Sequence, residues 1–371
     1  MTAPRAHAIV TGGGTAGHVM PALAIAEALV ARGHPRESIH YVGAERGIEA
    51  RTVPPTGFPL TLLPGRGIQR RLTPANLGAA WGLVVAFARA ISLVRRLRPA
   101  VVVAVGGYAS VAVGLAAVLW RVPLIVAEQN AVPGAANRLL ARFAKASAVS
   151  FEGTPLPRAT VTGNPVRAEI LALTPDRDRA AARAAFGVPP DRRLVLVMGG
   201  SLGALRINRA VLDALPGWAH RADLAVHHVV GARDWAQISA EVPTERGALE
   251  YRAVRYEDDV PAALAAADLV VCRAGSSTCF ELAAAGVPAI LVPSPYVTAD
   301  QQTRNAERLA AAGAAVVVPD AELDGARLIA EVDALLADPA RTEAMAAAAR
   351  AWATPTAAED IADLAEAHAR G

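Results

Sequence analysis

Lysine is almost missing from this 371-residue chain. Lys145 is the only one, so a phosphate-binding loop that ends in lysine is excluded. Cysteine is nearly as scarce: Cys272 and Cys279 stand seven residues apart in an apolar segment, with no CxxC pair and no His or Cys cluster spaced to join them. That argues against a disulfide framework and a structural zinc site, and no metal site is expected. Neither a Ser-His-Asp order nor HExxH occurs. Aromatic residues are 4% and do not interleave with the arginines as stacking platforms would, so nucleic acid is not an expected partner. Charged residues are only 19%, against 53% hydrophobic and a mean hydropathy of +0.31, which excludes wholesale disorder. Long apolar runs are few. Ala8–Val10 falls short of a signal peptide's apolar stretch of about 7 to 15 residues, so a reduced, cytoplasmic protein is expected. Val101–Trp120 is uncharged, but its β-branched start halts at Gly106-Gly107 before a small-residue segment. Strand, turn and buried helix fit it better than a membrane span.

What is present divides unevenly. Residues 1–167 hold 18 basic and 6 acidic side chains, a net +12, while the remainder holds 19 and 28, a net −9. From Arg51 to Ala100 there are eight arginines and no acid, so an anionic membrane surface or a phosphate-bearing polymer is attractive to the first half. Strand and helix signals alternate throughout, as in α/β proteins with parallel sheets between helices. The first half reads as strands Ala8–Thr11, Ile39–Val42, Val101–Val105 and Leu124–Ala127, with helices Pro21–Ala31 and Pro74–Leu97. After a polar, proline-containing stretch that reads as a linker, Thr174–Asp191, the pattern restarts with strands Leu194–Met198, Val226–Val230, Leu269–Cys272 and Ala289–Val292. AIVTGGGTAGH in the first half echoes LVLVMGGSLGA in the second. Two doubly wound domains follow, with both glycine-rich turns opening toward a cleft at the carboxyl ends of the strands.

Several motifs carry chemistry. Gly12, Gly14 and Gly17 satisfy GxGxxG, although the acid expected at the end of the second strand is represented only by Glu45, so a dehydrogenase stays open as a reading. His18 follows that turn, at the start of a helix that Pro21 is expected to open, where an imidazole is kept neutral and suited to general base work. Ser276, Ser277, Thr278, Cys279, Phe280 and Glu281 open a helix after the strand LVVC. Thr278 and Glu281 read equally as a capping box or as part of a diphosphate and ribose site. Gln301 and Gln302 supply a donor and acceptor mix suited to sugar hydroxyls, and Arg167 ends the junction Asn164-Pro165-Val166. Asp176-Arg177-Asp178 lies in the polar stretch and is discounted as a metal motif.

In order and spacing, GGGTAGHVMPALAIAEAL, VAVGGYAS, AEQNAVPGAANRLLA, TGNPVR, VMGGSLGA, VVCRAGSSTCFELAAAGVPAILVPSP and DQQTRNA resemble the bacterial peptidoglycan glycosyltransferases that add N-acetylglucosamine to lipid I. The resemblance covers nearly the whole chain. It implies a GT-B fold: a Rossmann-like acceptor and membrane-docking domain at 1–165, rejoined by a C-terminal helix at 353–371, and a UDP-sugar domain at 166–352. It implies inverting transfer from UDP-N-acetylglucosamine to the 4-hydroxyl of undecaprenyl-diphospho-N-acetylmuramoyl-pentapeptide, at the cytoplasmic face of the membrane. No cofactor is required, and whether a divalent cation assists is left open. Other cell-wall synthesis proteins are candidate partners. Carried over by position, His18 becomes the candidate base. Donor contacts fall on Thr15, Ala16, Gly17, Asn130, Arg167, Ser201, the segment Ser276 to Glu281 with Glu281 on the ribose, and Gln301-Gln302. The backbone near Glu257 reads the uracil edge. The sequence departs from the family at Ala16, Ala127 and Leu202, where Gly, His and Gln are usual. A GT-B enzyme with another UDP-sugar or lipid acceptor competes with this reading, as does a non-catalytic nucleotide-binding module.

A membrane-bound acceptor calls for a docking surface. Leu77, Trp81, Val84 and Val85 share a helical face flanked by Arg70, Arg71 and Arg89, while Arg138, Arg142 and Lys145 recur at helical spacing. The same face reads equally as core.

Overall fold

The β-branched runs form strands and the Gly-punctuated segments between them form crossovers, giving two all-parallel sheets. The structure is a computed structural model that describes residues 5–64, 75–173, 175–200 and 203–370. Two compact units divide the chain: residues 1–167 with 354–371, and residues 168–353. The strands of the first are β1 (Ala8–Gly12), β2 (Ile39–Ala44), β3 (Leu60–Leu63), β4 (Val101–Gly106), β5 (Leu124–Glu128), β6 (Ala146–Val149) and β7 (Ala159–Val161). Those of the second are β8 (Arg193–Met198), β9 (Leu224–Val229), β10 (Glu250–Val254), β11 (Leu269–Cys272), β12 (Ala289–Leu291) and β13 (Ala315–Val317). The sheet orders are β3-β2-β1-β4-β5-β6-β7 and β10-β9-β8-β11-β12-β13, each doubly wound. Their switch points fall between β1 and β4 and between β8 and β11.

The period of two along each strand divides its apolar residues between two cores. Ala8, Val10, Val101 and Val103 pack on Val19, Ile25 and Leu29 of the helix Ala16–Ala31 and on Ile361 and Ala365 of the C-terminal helix Ala357–His368. Their neighbours Ile9, Val102 and Ala104 pack on the other side, against Ala86, Ala90 and Leu93 of Ala75–Leu97 and Val113 and Ala116 of Tyr108–Leu119. The uncharged stretch after Pro99 is therefore strand, turn and buried helix, and no helix among the described residues is long and apolar enough to cross a membrane. In the second unit Val195 and Val197 meet Ile207, Val211 and Trp218.

Three expectations need correction. Pro21 does not open its helix, which begins at Ala16; Pro21 lies buried inside it, and the ladder bond it removes is the one to the Gly17 carbonyl. The polar stretch after Leu173 is not a linker, because Pro175–Ala185 is helical. Arg179 and Arg183 bind Asp268 there and hold the helix to the sheet. Thr278 is not a cap: Gly275 is the N-cap of Ser276–Ala285, and no side chain caps that end.

Candidate functional site

In the first unit the glycine-rich turns after β1 and β4 meet. Gly13 N–H donates to the Gly106 carbonyl at 3.3 Å, and a Cβ on Gly107 would lie 2.6 Å from the Gly13 oxygen. His18 fills the angle between them. Its Nδ1 lies 3.3 Å from the Gly13 carbonyl, which can only accept, so Nδ1 carries the proton and Nε2 keeps its lone pair. A Cβ at Gly106 (φ 134°) would come within 2.9 Å of that Nε2, which is why a residue without a side chain stands there. Burial lowers the His18 pKa from 6.5, against the opposing pull of Glu128 and Glu49, so the imidazole is neutral and basic at pH 7. Thr15 and Ala16 are exposed beside it, and Gly17 is partly so.

Glu49, which the sequence did not single out, lies wholly buried beneath the first turn. Both its oxygens accept from Gly14 N–H at 3.2 Å, and Oε1 also accepts from Ala44 N–H. A Cβ on Gly13, Gly43 or Gly47 would strike this carboxylate chain, so three glycines make its cavity. The clustering of Gly43 and Gly47 around an acid was the available signal. The consequence decides the GxGxxG question: the amide that would cradle a pyrophosphate already holds a carboxylate, and Glu45 pairs with Arg89 at 3.5 Å. Glu128 is the second buried acid here. It accepts from Asn130 N–H at 2.9 Å and Nδ2 at 3.2 Å, and from Gly134 N–H and Asn137 Nδ2, both at 2.9 Å, which fixes the loop that carries Asn130. Arg167 ends the unit, half-buried.

The second unit carries a pocket of about 970 Å³ at its own switch point, walled by the ends of β8 and β11: Met198, Gly199, Cys272 and Arg273. Arg206, Arg209, Arg233 and Arg273 also face it, and sequence periodicity marks none of them. Arg273 is locked by Asp320 and the Val292 carbonyl, whereas Arg206 has only a 4.0 Å contact to Asp320. Arg209 pairs with Glu241 and Arg233 with Asp234, so the four arginines meet three carboxylates and leave one net positive charge in a cavity large enough for a nucleoside diphosphate. Gly275 and Thr278 bring the start of the helix Ser276–Ala285 to the wall. Ser277 Oγ is buried there without a hydrogen-bond partner among the described residues, a hydroxyl that calls for one. Gln302 accepts from Ser294 N–H at 2.8 Å through Oε1, which leaves its NH₂ to donate into the pocket. Just before Gln301, Ala299 and Asp300 adopt φ of 54° and 53°, a strained pair of the kind that collects at ligand loops.

Other sequence candidates are placed differently. Cys279 and Phe280 turn their side chains into the core, Phe280 against Trp352 at 4.6 Å, so only their backbone can meet a ligand. Glu281 lies beyond the first turn of its helix, half-buried. Glu257 accepts from His227 Nε2 at 2.9 Å and from Asp259 N–H, fixing its backbone while its side chain points inward. Ser201 and Leu202 lie outside the described residues. Behind the pocket runs a directed chain of donors that sequence reading also missed. Tyr251 OH donates to His228 Nδ1, His228 Nε2 to Asn208 Oδ1, and Asn208 Nδ2 to Asp234, which accepts from Arg233. Arg233 donates onward to the Gly203 carbonyl at 3.2 Å, so the chain anchors the glycine-rich turn. Two histidines inside the apolar strand LAVHHV were its only trace.

Of the docking candidates, Arg70 and Arg71 lie outside the described residues, as do the side chains of Leu77 and Trp81. Val84 is 57% exposed and Val85 half-buried, while the core stripe of that helix is Ala86, Ala90, Leu93 and Val94. Arg89 is exposed. Helical spacing does not relate Arg138 to Arg142 and Lys145, because the helix is Ala135–Leu140; all three are nonetheless exposed, with Leu139 (37%) and Phe143 (51%) among them.

Residues 8–149 match the glycosyltransferase family 28 N-terminal domain and residues 194–366 its C-terminal domain. A UDP-N-acetylglucosamine–N-acetylmuramyl-(pentapeptide) pyrophosphoryl-undecaprenol N-acetylglucosamine transferase of Desulforudis audaxviator is 39% identical over 367 residues, 96% of this chain and 97% of that one. Its namesake in Salinibacter ruber is 42% identical over 360 residues, 96% and 95% of the two chains. The crystal structure of Acinetobacter baumannii MurG superposes with a TM-score of 0.75 at 28% identity, covering 98% of this chain and all (100%) of that one. A Staphylococcus aureus MnaA–UDP structure, at 14% identity and a TM-score of 0.70, shares the fold alone.

Proposed function

This chain belongs to glycosyltransferase family 28, and on that premise we propose that it transfers N-acetylglucosamine from UDP-N-acetylglucosamine to the lipid-linked N-acetylmuramoyl-pentapeptide of lipid I, giving lipid II and UDP. It is a UDP-N-acetylglucosamine-dependent hexosyltransferase of the GT-B class. The observation that carries the donor assignment is the arginine-faced pocket at the β8–β11 switch point.

The second unit takes the nucleotide sugar. Arg206, Arg273 and the start of the helix Ser276–Ala285 meet the diphosphate, whose charge grows as the sugar–phosphate bond breaks. Glu281 takes the ribose hydroxyls, Gln301 and Gln302 the sugar, and the backbone at Glu257 the uracil edge; Ser201 and Arg167 complete the phosphate contacts. Thr15, Ala16, Gly17 and Asn130 of the first unit add further donor contacts, and the same unit receives the lipid. His18 Nε2 takes the proton of the 4-hydroxyl as that oxygen attacks the anomeric carbon, so the configuration inverts. A positioned base of this kind contributes roughly 10²- to 10⁴-fold.

The acceptor's lipid brings the enzyme to the cytoplasmic face of the membrane. Arg138, Arg142, Lys145, Leu139 and Phe143 supply a basic, apolar surface for anionic headgroups, and the exposed Val84 and Arg89 extend it. Other cell-wall synthesis proteins are partners that such a location favours. The test is UDP release from UDP-N-acetylglucosamine with and without a lipid I analogue. Acceptor-dependent release is expected; release indifferent to the acceptor, or binding of NADH in place of UDP, overturns the reading.

A further inference from the structure

Three segments remote in the chain meet at one corner of the first unit. His7 precedes β1, His34 follows the Gly33 turn that ends the helix Ala16–Ala31, and Glu366 stands in the last turn of the C-terminal helix Ala357–His368. Glu366 Oε1 lies 2.9 Å from His7 Nε2 and 2.7 Å from His34 Nε2. The two rings stack, with centroids 3.5 Å apart and planes 12° from parallel. Only the His7 contact has the alignment of a hydrogen bond; His34 Nε2 comes closer without it. The three side chains are 19%, 25% and 31% exposed, shielded yet open to a small ion. Among the described residues no other group of His, Cys, Asp or Glu brings three ligand atoms within 4.8 Å of one another.

We propose that His7, His34 and Glu366 form a binding site for one divalent transition-metal ion of the zinc class. Two neutral imidazole nitrogens and one carboxylate oxygen suit Zn²⁺, Co²⁺ or Ni²⁺, whereas Mg²⁺ and Ca²⁺ take oxygen sets. Ligands about 2.0 to 2.2 Å from a tetrahedral ion lie about 3.3 Å from one another. Atoms now 2.7 and 2.9 Å apart must separate by about half an ångström, and the two rings, now stacked 12° from parallel, must turn out of the stack so that both lone pairs converge on the ion. Water completes the fourth position. Next to the site, Arg32 is engaged by Asp363. The ion joins residues 359 apart in sequence and pins the returning C-terminal helix to β1, so binding appears as added stability. The glycosyl transfer uses none of the three residues.

The test uses the full chain without an affinity tag, with Zn²⁺ and Co²⁺ as probes. Calorimetry is expected to show one Zn²⁺ bound, Co²⁺ to give a visible ligand-field band, and Tm to rise with Zn²⁺ but not with Mg²⁺. His34→Ala is expected to weaken binding by about 10- to 100-fold or more and to remove the Tm rise. Glu366→Gln keeps an acceptor for His7, and so the helix docking, yet weakens binding as well. Absence of saturable Zn²⁺ binding overturns the proposal, as does binding of undiminished affinity in both variants.

Discussion

Glu49 holds Gly14 with both carboxylate oxygens, each 3.2 Å from the backbone nitrogen, across 35 residues of sequence. A turn that reads as a phosphate cradle is thereby filled from within, and it serves instead to seat His18. Burial raises the pKa of Tyr108 to about 12, and the same carboxylate adds to that shift.

The cavity around Glu49 has no slack. A Cβ on Gly43 would lie 2.4 Å from Glu49 Cγ, and one on Gly47 would lie 1.9 Å from Oε2. Gly43→Ala and Gly47→Ala are each expected to cost about 1 to 3 kcal/mol through overpacking. Urea unfolding measures this, and midpoints equal to the parent's for both would refute it.

His18→Ala is expected to lower kcat by about 10²- to 10⁴-fold with KM for UDP-N-acetylglucosamine changed far less. Because burial lowers the imidazole's pKa from 6.5, the neutral base persists below that pH. The acidic fall of kcat then lies below pH 6.5 in the parent enzyme and is absent from the residual activity of His18→Ala. Steady-state kinetics from pH 5 to 8 reads both.

His228 is wholly buried and its pKa is pushed down to about 3 from 6.5, chiefly by desolvation. Between those values the unfolded chain binds the extra proton. Its contribution is intact above pH 6.5 and is lost at about 1.4 kcal/mol per unit as pH falls below it. Replacing it by Gln is expected to flatten the slope of unfolding free energy against pH by about one proton between pH 4 and 6. An unchanged slope would exclude His228 as the acid-sensitive group.

Arg138→Glu with Arg142→Glu tests the docking surface. Each basic side chain near an anionic membrane contributes about 1 kcal/mol, so the double reversal should lower vesicle partitioning by about thirtyfold or more. Sedimentation with anionic vesicles measures it. Parent binding should weaken with added salt, and binding insensitive to both salt and the substitutions would remove this surface from any role in docking.

Much of the architecture is legible from neighbours in the chain. Val101–Gly106 and Arg193–Met198 are β-branched runs that end at glycines, and both Gly-rich turns fall at the first strand of each sheet. The strands Leu60–Leu63, Ala159–Val161, Glu250–Val254 and Ala315–Val317 are not legible in the same way, because they lie at sheet edges, partly exposed, and lack the buried apolar run of the central strands; Ala146–Val149, beside an edge, is mostly small residues. Proline is favoured at a helix start, yet the fold keeps Pro21 inside its helix and gives up one ladder bond.

Apolar period, glycine punctuation and motif order are relations between residues a few positions apart, and they suffice for strand and helix alternation, for His18 at a turn and for the family. Glu49 beneath Gly14, the four arginines facing one pocket, and His7 beside Glu366 are different. They arise where crossovers and a returning helix bring distant segments together, and no local spacing encodes that meeting.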